Sequence, residues 1–511
     1  MNAALLAATR PQRPARTALA DLVGWLESVD PTVQTRGEPG SAGVTGLSLS
    51  SERILPGDLY AALPGSRAHG VEFAGAAVDA GAVAILTDPA GADAARSAVP
   101  LLVVADPRAL LGRLAARIYG EPATSLRMLG VTGTQGKTTT TRLAEGGLEL
   151  AGVRAAVVGT VGTRVAGQEI KTSLTTPEAP DLHGLFAMMR ERDVVACAME
   201  VSSHALVLGR VDGVVFDVAV FLNLGRDHLD FHTDLEDYFR AKASLFTPER
   251  ARLGLVNIDD EHGRRLVEEA TIPMRTLSAA GADADWRAVE IEPGAGGSTF
   301  TVLGPDGLRL PAGVPLPGDF NVANALAAIA ACAEAGFDAA EVADGIRRGS
   351  GVPGRLELVD AGQDFVVVVD YAHKPDAVEA ALRTLRPLTG GRLIVVLGAG
   401  GDRDLGKRPI MGEIAARLAD VFVVTDDNPR TEDPAAIRAD LLGGTGAAAA
   451  EVLEIGDRRE AIHEAVLRAR PGDIVLIAGK GHETGQEIAG VVHPFDDRAV
   501  ALDALRDRVG A

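Results

Sequence analysis

A glycine-rich loop at residues 133–136 lies between an apolar run and a helical pattern, and it constrains the fold more than any other segment. Glycine lets backbone N–H groups approach a phosphate closely, while a following Lys supplies a cation and a Thr hydroxyl can bind Mg²⁺. The strict motif begins with Gly where this chain has Val131, so a chance turn is the alternative. The loop is preceded by a predicted strand and followed by a Lys-Thr pair at the start of a predicted helix. This combination predicts an α/β domain that binds ATP. The candidate residues are Gly133, Thr134, Gln135, Gly136, Lys137, Thr138 and Thr139.

Apolar runs in the last third of the chain predict a further α/β unit. Each run ends in a polar or glycine-rich loop, and helical patterns separate the runs. They lie at residues 365–370, 392–397, 421–425 and 473–478. This alternation predicts a doubly wound parallel sheet that binds ligands at the carboxyl ends of its strands. Changes in texture divide the chain into a disordered tail (1–20), a small α/β module (21–124), a central α/β domain (125–353) and a Rossmann-like domain (354–511).

Composition excludes several classes of protein. The formal net charge of −20 argues against a nucleic-acid or membrane-surface binder. No apolar run approaches the roughly 20 residues that span a bilayer, and residues 1–16 lack the apolar core of a secretory signal. The two cysteines, Cys197 and Cys332, lie in apolar runs and are expected to be reduced core residues. We therefore expect a cytoplasmic protein.

Three polar residues after the glycine-rich loop are candidates for chemistry. Glu200 follows an apolar run, where a carboxylate can bind nucleotide-bound Mg²⁺, although capping of the next helix is an equal alternative. His228 lies in a loop rich in His and Asp and is a candidate second metal ligand. Lys242 lies in a helical pattern, where a lone lysine is usually a solvated charge, so the pattern alone gives it no role.

These segments and several later ones resemble the Mur ligase family when taken as an ordered set. The set comprises residues 133–138, 200–204, 226–230, 241–242, 318–324, 354–357 and 370–376. The resemblance implies that ATP phosphorylates a substrate carboxylate and that an incoming amine then attacks the acyl phosphate. It also implies two Mg²⁺ ions, one held by Thr138 and Glu200 and the other by His228 and a carbamate formed from Lys242 and CO₂. Lys137, Glu200, His228 and Lys242 are then catalytic, and Asn324, Arg355 and Asp370 bind the nucleotide.

The same resemblance implies a UDP-linked substrate, UDP-N-acetylmuramoyl-dipeptide. The chain has Ser50-Ser51-Glu52 where relatives ordinarily have Asp-Ser-Arg, and Leu208 where relatives can carry a polar residue. The residues expected to bind this substrate are Leu49, Ser51, Ser66, Arg67, Ala68, Thr175, Thr176, Ser202 and Arg210.

Three loops at the ends of the C-terminal strands are expected to select the amino acid. Arg binds carboxylates through two hydrogen bonds, which suits the second carboxylate of meso-diaminopimelate, whereas lysine lacks that group. A polar turn is the alternative for residues 426–430. The residues expected to bind the amino acid are Arg408, Asp427, Asn428, Pro429, Arg430, Gly479 and Glu483.

The predicted function is therefore ATP-dependent addition of meso-diaminopimelate to the UDP-linked dipeptide in peptidoglycan synthesis, by a monomer. Lysine addition and a folylpolyglutamate synthase-like activity are alternatives within the family. An ATPase that acts as a switch or motor is a further alternative, but residues 370–376 and the three C-terminal loops would have no role in it. A non-catalytic protein that senses nucleotides is another, but it would not need Lys242 and His228 together.

Overall fold

The computed structural model describes residues 9–172, 174–446 and 449–509 of the 511-residue chain. The chain divides into two compact units, and each contains two separate stretches of sequence. The first unit comprises Met1–Arg287 and Ala327–Gly345, and the second comprises Ala288–Leu326 and Ile346–Ala511. Within the described residues, none of the helices has both the length and the apolar character that crossing a membrane requires.

The first unit opens with a small sheet flanked by helices. Its strands follow the order β2-β7-β6-β5-β4 across the described residues. Neighbours among β4 to β7 are parallel, while β2 is antiparallel to β7. The elements are β1 (Thr17–Ala18), α1 (Leu19–Val29), β2 (Gln34–Arg36), β3 (Gly43–Val44), β4 (Gly46–Ser48), β5 (Asp58–Ala62), α2 (Ala74–Asp79), β6 (Ala84–Thr87), α3 (Pro89–Ala94), β7 (Leu101–Val103) and α4 (Pro107–Ile118).

The predicted disordered tail over residues 1–20 is wrong for the part that the structure describes. Arg10 is buried, and its guanidinium donates to both carboxylate oxygens of Asp58 at 2.7 and 2.8 Å. It also donates to the carbonyl of Leu47 at 3.1 Å, and β1 and α1 follow from Thr17 onward. A buried arginine needs such a partner, and a carboxylate 48 positions away cannot be found from the local pattern. Residues 1–8 lie outside the described residues.

A larger sheet forms the rest of the first unit and carries the glycine-rich loop. Its strands in this unit follow the order β11-β10-β9-β12-β8-β13-β14-β15, with parallel pairing from β9 to β15 and an antiparallel β10–β11 hairpin at the edge. Its elements are β8 (Arg127–Thr132), α5 (Lys137–Leu150), β9 (Ala155–Gly159), β10 (Gly162–Val165), β11 (Gln168–Ile170), α6 (Ala179–Glu191), β12 (Ala196–Glu200), α7 (Ser203–Val207), β13 (Phe216–Phe221), α8 (Leu235–Ala243), β14 (Ala251–Asn257), α9 (Glu261–Glu269) and β15 (Met274–Ser278).

The second unit contains the predicted doubly wound sheet. Its strands follow the order β19-β20-β24-β21-β22-β23, and all neighbours except β19 and β20 are parallel. Apolar side chains on both faces of this sheet are buried against helices. The remaining elements of the chain are β16 (Trp286–Gly294), β17 (Gly297–Leu303), β18 (Arg309–Val314), α10 (Asp319–Glu334), α11 (Ala339–Arg348), β19 (Glu357–Leu358), β20 (Val366–Asp370), α12 (Pro375–Leu385), β21 (Leu393–Leu397), α13 (Lys407–Leu418), β22 (Val421–Val424), α14 (Pro434–Gly443), β23 (Glu451–Glu454), α15 (Arg458–Arg468), β24 (Ile474–Ala478), β25 (Gly485–Ile488), β26 (Val491–Pro494) and α16 (Asp497–Val509).

Candidate active site

The glycine-rich loop joins β8 to α5 as the sequence predicts. Gly136 is the residue before α5 and has φ 87°, a left-handed conformation that glycine adopts without strain. The ammonium of Lys137 donates to the carbonyls of Gly133 at 2.7 Å and Thr134 at 3.0 Å. The side chains of Thr138 and Thr139 are buried in the first turn of α5. The loop and the N-terminus of the helix thus form the kind of backbone arrangement that binds a phosphate chain.

Asn223 holds this loop in shape, a role that the sequence did not reveal. Its side-chain oxygen accepts hydrogen bonds from the backbone N–H groups of Thr134 at 3.1 Å and Gln135 at 2.9 Å. Its side-chain nitrogen donates to the carbonyl of Gln135 at 3.2 Å. Asn223 follows β13, which pairs with β8, so its position beyond the end of a neighbouring strand is the signal that could have identified it.

Glu200 is the buried last residue of β12, beside β8 in the sheet. Its carboxylate accepts hydrogen bonds from the backbone N–H of Thr160 at 2.8 Å and from the Thr160 hydroxyl at 3.1 Å. A side chain at Gly159 would collide with this carboxylate, so a larger residue there would displace the Glu200 side chain. The following helix is capped by Ser202, whose hydroxyl accepts from the backbone N–H of Ala205 at 3.2 Å. Glu200 therefore does not cap that helix, and the alternative to a metal-binding role that the sequence left open is excluded.

Lys242 is buried, with 1% of its surface exposed, and is not the solvated charge that its helical pattern favours. Its ammonium donates to the carbonyl of Gly133 at 3.0 Å and lies 4.6 Å from the centre of the Tyr238 ring. Lys137 donates to the same carbonyl. Burial, reinforced by the charge of Lys137, lowers the pKa of Lys242 well below its ordinary value, although Asp227 opposes the shift.

His228 lies in an exposed loop near these residues. Its backbone φ is 54°, and its Nε2 is 3.6 Å from a carboxylate oxygen of Asp227. The ring centroid is 4.9 Å from that of His204 and 6.1 Å from that of Tyr238. Because Lys242 also contacts the Tyr238 ring, the structure brings the predicted residues His228 and Lys242 near one aromatic side chain.

A chain of three polar residues connects the segments that carry Glu200, His228 and Lys242. The Nε2 atom of buried His232 is 2.9 Å from the hydroxyl of Ser203, at the start of α7. Its Nδ1 atom is 3.3 Å from a carboxylate oxygen of Asp237, on α8. The Ser203 side chain is itself buried, so this arrangement connects the two helices. None of these three contacts follows from the local sequence, because His232 lies 29 positions from Ser203.

The residues predicted to bind the UDP-linked substrate fall into two groups within the first unit. In one group, the Thr176 hydroxyl donates to the carbonyl of Glu200 at 2.8 Å and accepts from the backbone N–H of Ser202 at 3.2 Å. Arg210 donates to the carbonyl of Thr176 at 3.3 Å, and the hydroxyls of Thr175 and Thr160 are 3.0 Å apart. These predicted residues therefore surround the end of the strand that carries Glu200.

The second group lies in the small sheet's loops. Leu49 is half-buried after β4, Ser51 begins a short 3-10 helix, and Ser66 and Arg67 are exposed in the turn after β5, with Ala68 beside them. The 3-10 helix is connected to α6 because the Arg53 guanidinium donates to both oxygens of Asp181, at 2.9 and 2.6 Å. Substrate binding by either group stays a prediction.

Within the second unit, Arg355 and Asp370 are close in space, because the residue after Arg355 donates a backbone hydrogen bond to the Asp370 carboxylate. The carboxylate of Asp370 accepts from the backbone N–H groups of Leu356 and Ala372, each at 2.8 Å. Burial raises the pKa of Asp370, while Arg355 opposes the shift. The Arg355 guanidinium lies 5.0 Å from the centre of the Tyr371 ring. Asn324 donates to the side-chain oxygen of Asn321 at 3.2 Å. Nucleotide binding by these residues stays a prediction.

The three polar loops of the second unit meet, as expected for the ends of parallel strands. The backbone N–H of Gly401 donates to the carbonyl of Asn428 at 2.9 Å, and the Asn428 side chain donates to Glu483 at 2.9 Å. Arg430 has φ 54°, donates to the carbonyl of Gly401 at 2.6 Å and lies 3.5 Å from Glu487. The guanidinium of Arg430 and the carboxylate of Glu483 are both partly exposed, and both lie at this edge of the sheet. Asp427, Pro429 and Gly479 lie in the same loops.

Arg408, which was also predicted to bind the amino acid, is buried beneath these loops. Its guanidinium donates to both oxygens of Glu432 at 2.9 Å and to Asp440 at 3.0 Å. It also donates to the carbonyl of Gly400 at 3.3 Å. The structure thus shows Arg408 supporting the loop of Gly400, and direct contact with an amino acid stays a prediction.

The residues around the glycine-rich loop fit Mg²⁺ bound together with a nucleotide. No three His, Cys, Asp or Glu side chains converge as a ready metal site in the described ranges. Mg²⁺ commonly uses one or two carboxylates and completes its coordination with water and substrate phosphates. The buried carboxylate of Glu200, at the end of β12, and the hydroxyl of Thr138, in the first turn of α5, match that donor set.

Comparison with known proteins identifies the family. Three family models match in succession: "Mur ligase family, catalytic domain" at residues 43–119, "Mur ligase middle domain" at 131–332 and "Mur ligase, glutamate ligase domain" at 354–481. The chain belongs to the Mur ligase family. The predicted membership of the Mur ligases and the predicted α/β architecture with three domains are confirmed. The exact domain limits stay a prediction.

Individual Mur ligases are similar to the chain over almost its whole length. The UDP-N-acetylmuramoyl-L-alanyl-D-glutamate–2,6-diaminopimelate ligase of Streptomyces coelicolor is 57% identical over 98% of this chain and 99% of its own. The ligase of the same name from Corynebacterium glutamicum is 49% identical over 92% of this chain and 93% of its own. A solved structure of a ligase of that name has 34% identity and a TM-score of 0.70, covering 95% of this chain and 99% of the other.

Proposed function

We propose that this Mur ligase joins meso-diaminopimelate to the D-glutamate of UDP-N-acetylmuramoyl-L-alanyl-D-glutamate in the cytoplasm, as a step of peptidoglycan synthesis. The similar ligases from Streptomyces coelicolor and Corynebacterium glutamicum, both named for 2,6-diaminopimelate, support this substrate. The single structural observation that carries it is the meeting of Arg430, Asn428 and Glu483 at one edge of the second sheet. These groups suit an amino acid that has a carboxylate and an ammonium at its far end.

In the proposed reaction, a carboxylate oxygen of the UDP-linked substrate attacks the γ-phosphorus of ATP, and ADP leaves. The nitrogen of the amino acid then attacks the acyl carbon, the bond to the phosphate oxygen breaks, and the nitrogen loses a proton. The backbone N–H groups of the glycine-rich loop and the ammonium of Lys137 bind the phosphates. Asn223 keeps that loop in the required shape. Two anions must meet in this reaction, so cations that screen them lower the barrier.

One Mg²⁺ ion would be held by Thr138 and Glu200. A second would be held by His228 and a carbamate on Lys242. The two ions would neutralise charge on the phosphates. The depressed pKa of Lys242 supports the carbamate, because only the neutral amine adds CO₂, forming an N–C bond and releasing one proton. The product is a carboxylate-like group near Lys137, in place of an amine that shares the carbonyl of Gly133 with the Lys137 ammonium.

The test is product mass and kinetics with ATP, Mg²⁺, the UDP-linked dipeptide and a panel of diamino acids. Arg430→Ala should lose about 2–5 kcal/mol of binding to the far carboxylate, or roughly 30- to 4,000-fold in kcat/KM for diaminopimelate. Use of lysine should fall much less. The matched control is Arg459→Ala, which removes an exposed arginine of the same unit. An equal fall for both amino acids, or a wild-type preference for lysine, would overturn the proposed substrate.

A further inference from the structure

Lys480 is a buried cation within the amino-acid loop that contains Gly479 and Glu483, and it has no part in the proposed mechanism. Its side chain is 0% exposed. Its ammonium donates to the side-chain oxygen of Asn428 at 3.0 Å and to Oε2 of Glu483 at 3.0 Å. A buried ammonium is costly without such partners, so its position requires both contacts. Lys480 therefore touches two of the residues proposed to bind the far end of the amino acid.

The glycines on either side turn Lys480 inward. Gly479 has φ 118° and Gly481 has φ 53°, both in the region that side chains rarely adopt. A side chain at Gly479 would also collide with the carboxylate of Asp427, and one at Gly481 would collide with Tyr371. The Gly-Lys-Gly sequence is thus what allows the loop to pass closely between these neighbours while its lysine points into the protein.

Lys480 and the backbone N–H of Glu487 together orient the side-chain amide of Asn428. The Asn428 oxygen meets two groups that can only donate, the Lys480 ammonium at 3.0 Å and the backbone N–H of Glu487 at 2.9 Å. The amide nitrogen is consequently turned towards Glu483, to which it donates at 2.9 Å. Among the described residues, the second N–H of this amide and the Oε1 atom of Glu483 have no hydrogen-bond partner.

We propose that Lys480 is a positioning residue that makes the site selective for an amino-acid centre bearing both a carboxylate and an ammonium. It does so by holding Asn428 as a donor, beside the guanidinium of Arg430, and by leaving Oε1 of Glu483 as an acceptor. The carboxylate of such an amino acid can then accept hydrogen bonds from Asn428 and Arg430, and its ammonium can donate to Oε1 of Glu483. Lysine ends in an ammonium alone and leaves the donors unmatched. This inference rests on the proposed function of these loops.

The test compares wild type with Lys480→Met and Lys480→Gln, using steady-state kinetics with meso-diaminopimelate and with L-lysine. Met removes the Lys480 donor, and Gln keeps polarity but can also accept, so in both variants the backbone N–H of Glu487 is left as the remaining donor to the Asn428 oxygen. We expect the KM for diaminopimelate to rise about 10- to 140-fold, the cost of a hydrogen bond to a charged group. The kcat and the KM for ATP should change little, and lysine use should fall by less than about threefold.

A double-mutant cycle with Asn428→Leu distinguishes positioning from general support of the fold. If Lys480 acts through Asn428, the Lys480→Met/Asn428→Leu variant should discriminate between the two amino acids no worse than Asn428→Leu alone. Three results would overturn the role of Lys480: equal losses of kcat/KM for both amino acids, additive losses in the double-mutant cycle, or unchanged discrimination in Lys480→Gln. If Arg430→Ala and Glu483→Gln both leave diaminopimelate use intact, the proposed function of the loops fails instead.

Discussion

The buried ion pair between Arg458 and Asp497 gives a prediction about the stability of the second unit. Both side chains are 0% exposed, and the guanidinium donates to the two carboxylate oxygens at 2.8 Å each. It also donates to the carbonyl of Ala478 at 2.9 Å and to that of Asp426 at 3.4 Å. The pair therefore joins the start of two helices to the ends of β24 and β22, from which the amino-acid loops leave.

Arg458→Met should destabilise the second unit by about 3–5 kcal/mol, because it leaves the carboxylate of Asp497 buried without its partner. Replacing both residues, as Arg458→Met with Asp497→Leu, should recover much of that loss, since an apolar pair leaves no buried charge. A loss of this size is a large fraction of the roughly 5–15 kcal/mol that stabilises a domain. The unfolding free energy is measured by urea titration.

One tryptophan makes the assay specific to one unit. Trp25 lies within the first unit, so its fluorescence in a Trp286→Phe background reports the unfolding of that unit, whereas far-ultraviolet circular dichroism reports both units; Trp286 is replaced because β16 continues from it into the second unit. Arg458→Met should shift the dichroism transition of the second unit and leave the fluorescence transition in place. A shift below about 1 kcal/mol, or a double variant as unstable as the single one, would refute the reasoning from an unpaired buried charge.

Two further predictions concern the first unit. Lys242→Ala should lower ligation on the order of 100- to 1,000-fold, because it removes a charged group beside the phosphates. Acetate should restore part of the rate by replacing the carbamate, and full activity without acetate would contradict a role for Lys242. Burial lowers the pKa of His183 to about 4, against an ordinary value near 6.5, so its neutral form stabilises the folded state. That stability is complete above pH ~6.5 and is lost as the pH falls through ~4, costing about 2–3 kcal/mol at pH ~4.5. His183→Gln should show a smaller acid loss by tryptophan fluorescence in urea, and parallel losses in the two proteins would contradict the prediction.

The features that the sequence predicted correctly depend on short stretches of chain. The glycine-rich loop, the strand before it and the helix after it are encoded within residues 127–150. The C-terminal strands are continuous apolar runs because both faces of their sheet are covered. Since parallel strands all end at one edge, the meeting of the loops around Asn428 and Glu483 followed from the order of elements alone.

The features that the sequence missed depend on partners far apart along the chain. Arg10 looked like part of a tail because Asp58 is 48 positions away. Asn223 contacts a loop 88 positions earlier, and His232 meets Ser203 across 29 positions. The burial of Arg408 could not be seen either, because its partner Glu432 lies 24 positions away, while its contact with an amino acid stays a prediction. A local pattern reports the type of a side chain and not whether the fold buries it.

The contrast between Lys242 and Lys480 shows how surroundings assign different tasks to two buried lysines. Lys480 donates to a carboxylate oxygen of Glu483 and to the side-chain oxygen of Asn428, each at 3.0 Å, and these contacts suit it to fixing the orientation of its neighbours. Lys242 instead donates to a carbonyl that also accepts from Lys137, and its pKa is lowered. A lysine that is readily neutral can react with CO₂, whereas one paired with a carboxylate cannot do so without giving up that pair. The two residues are each found in a helix or loop pattern that favours a solvated charge, so only the partners within the fold separate a reactive amine from a fixed cation.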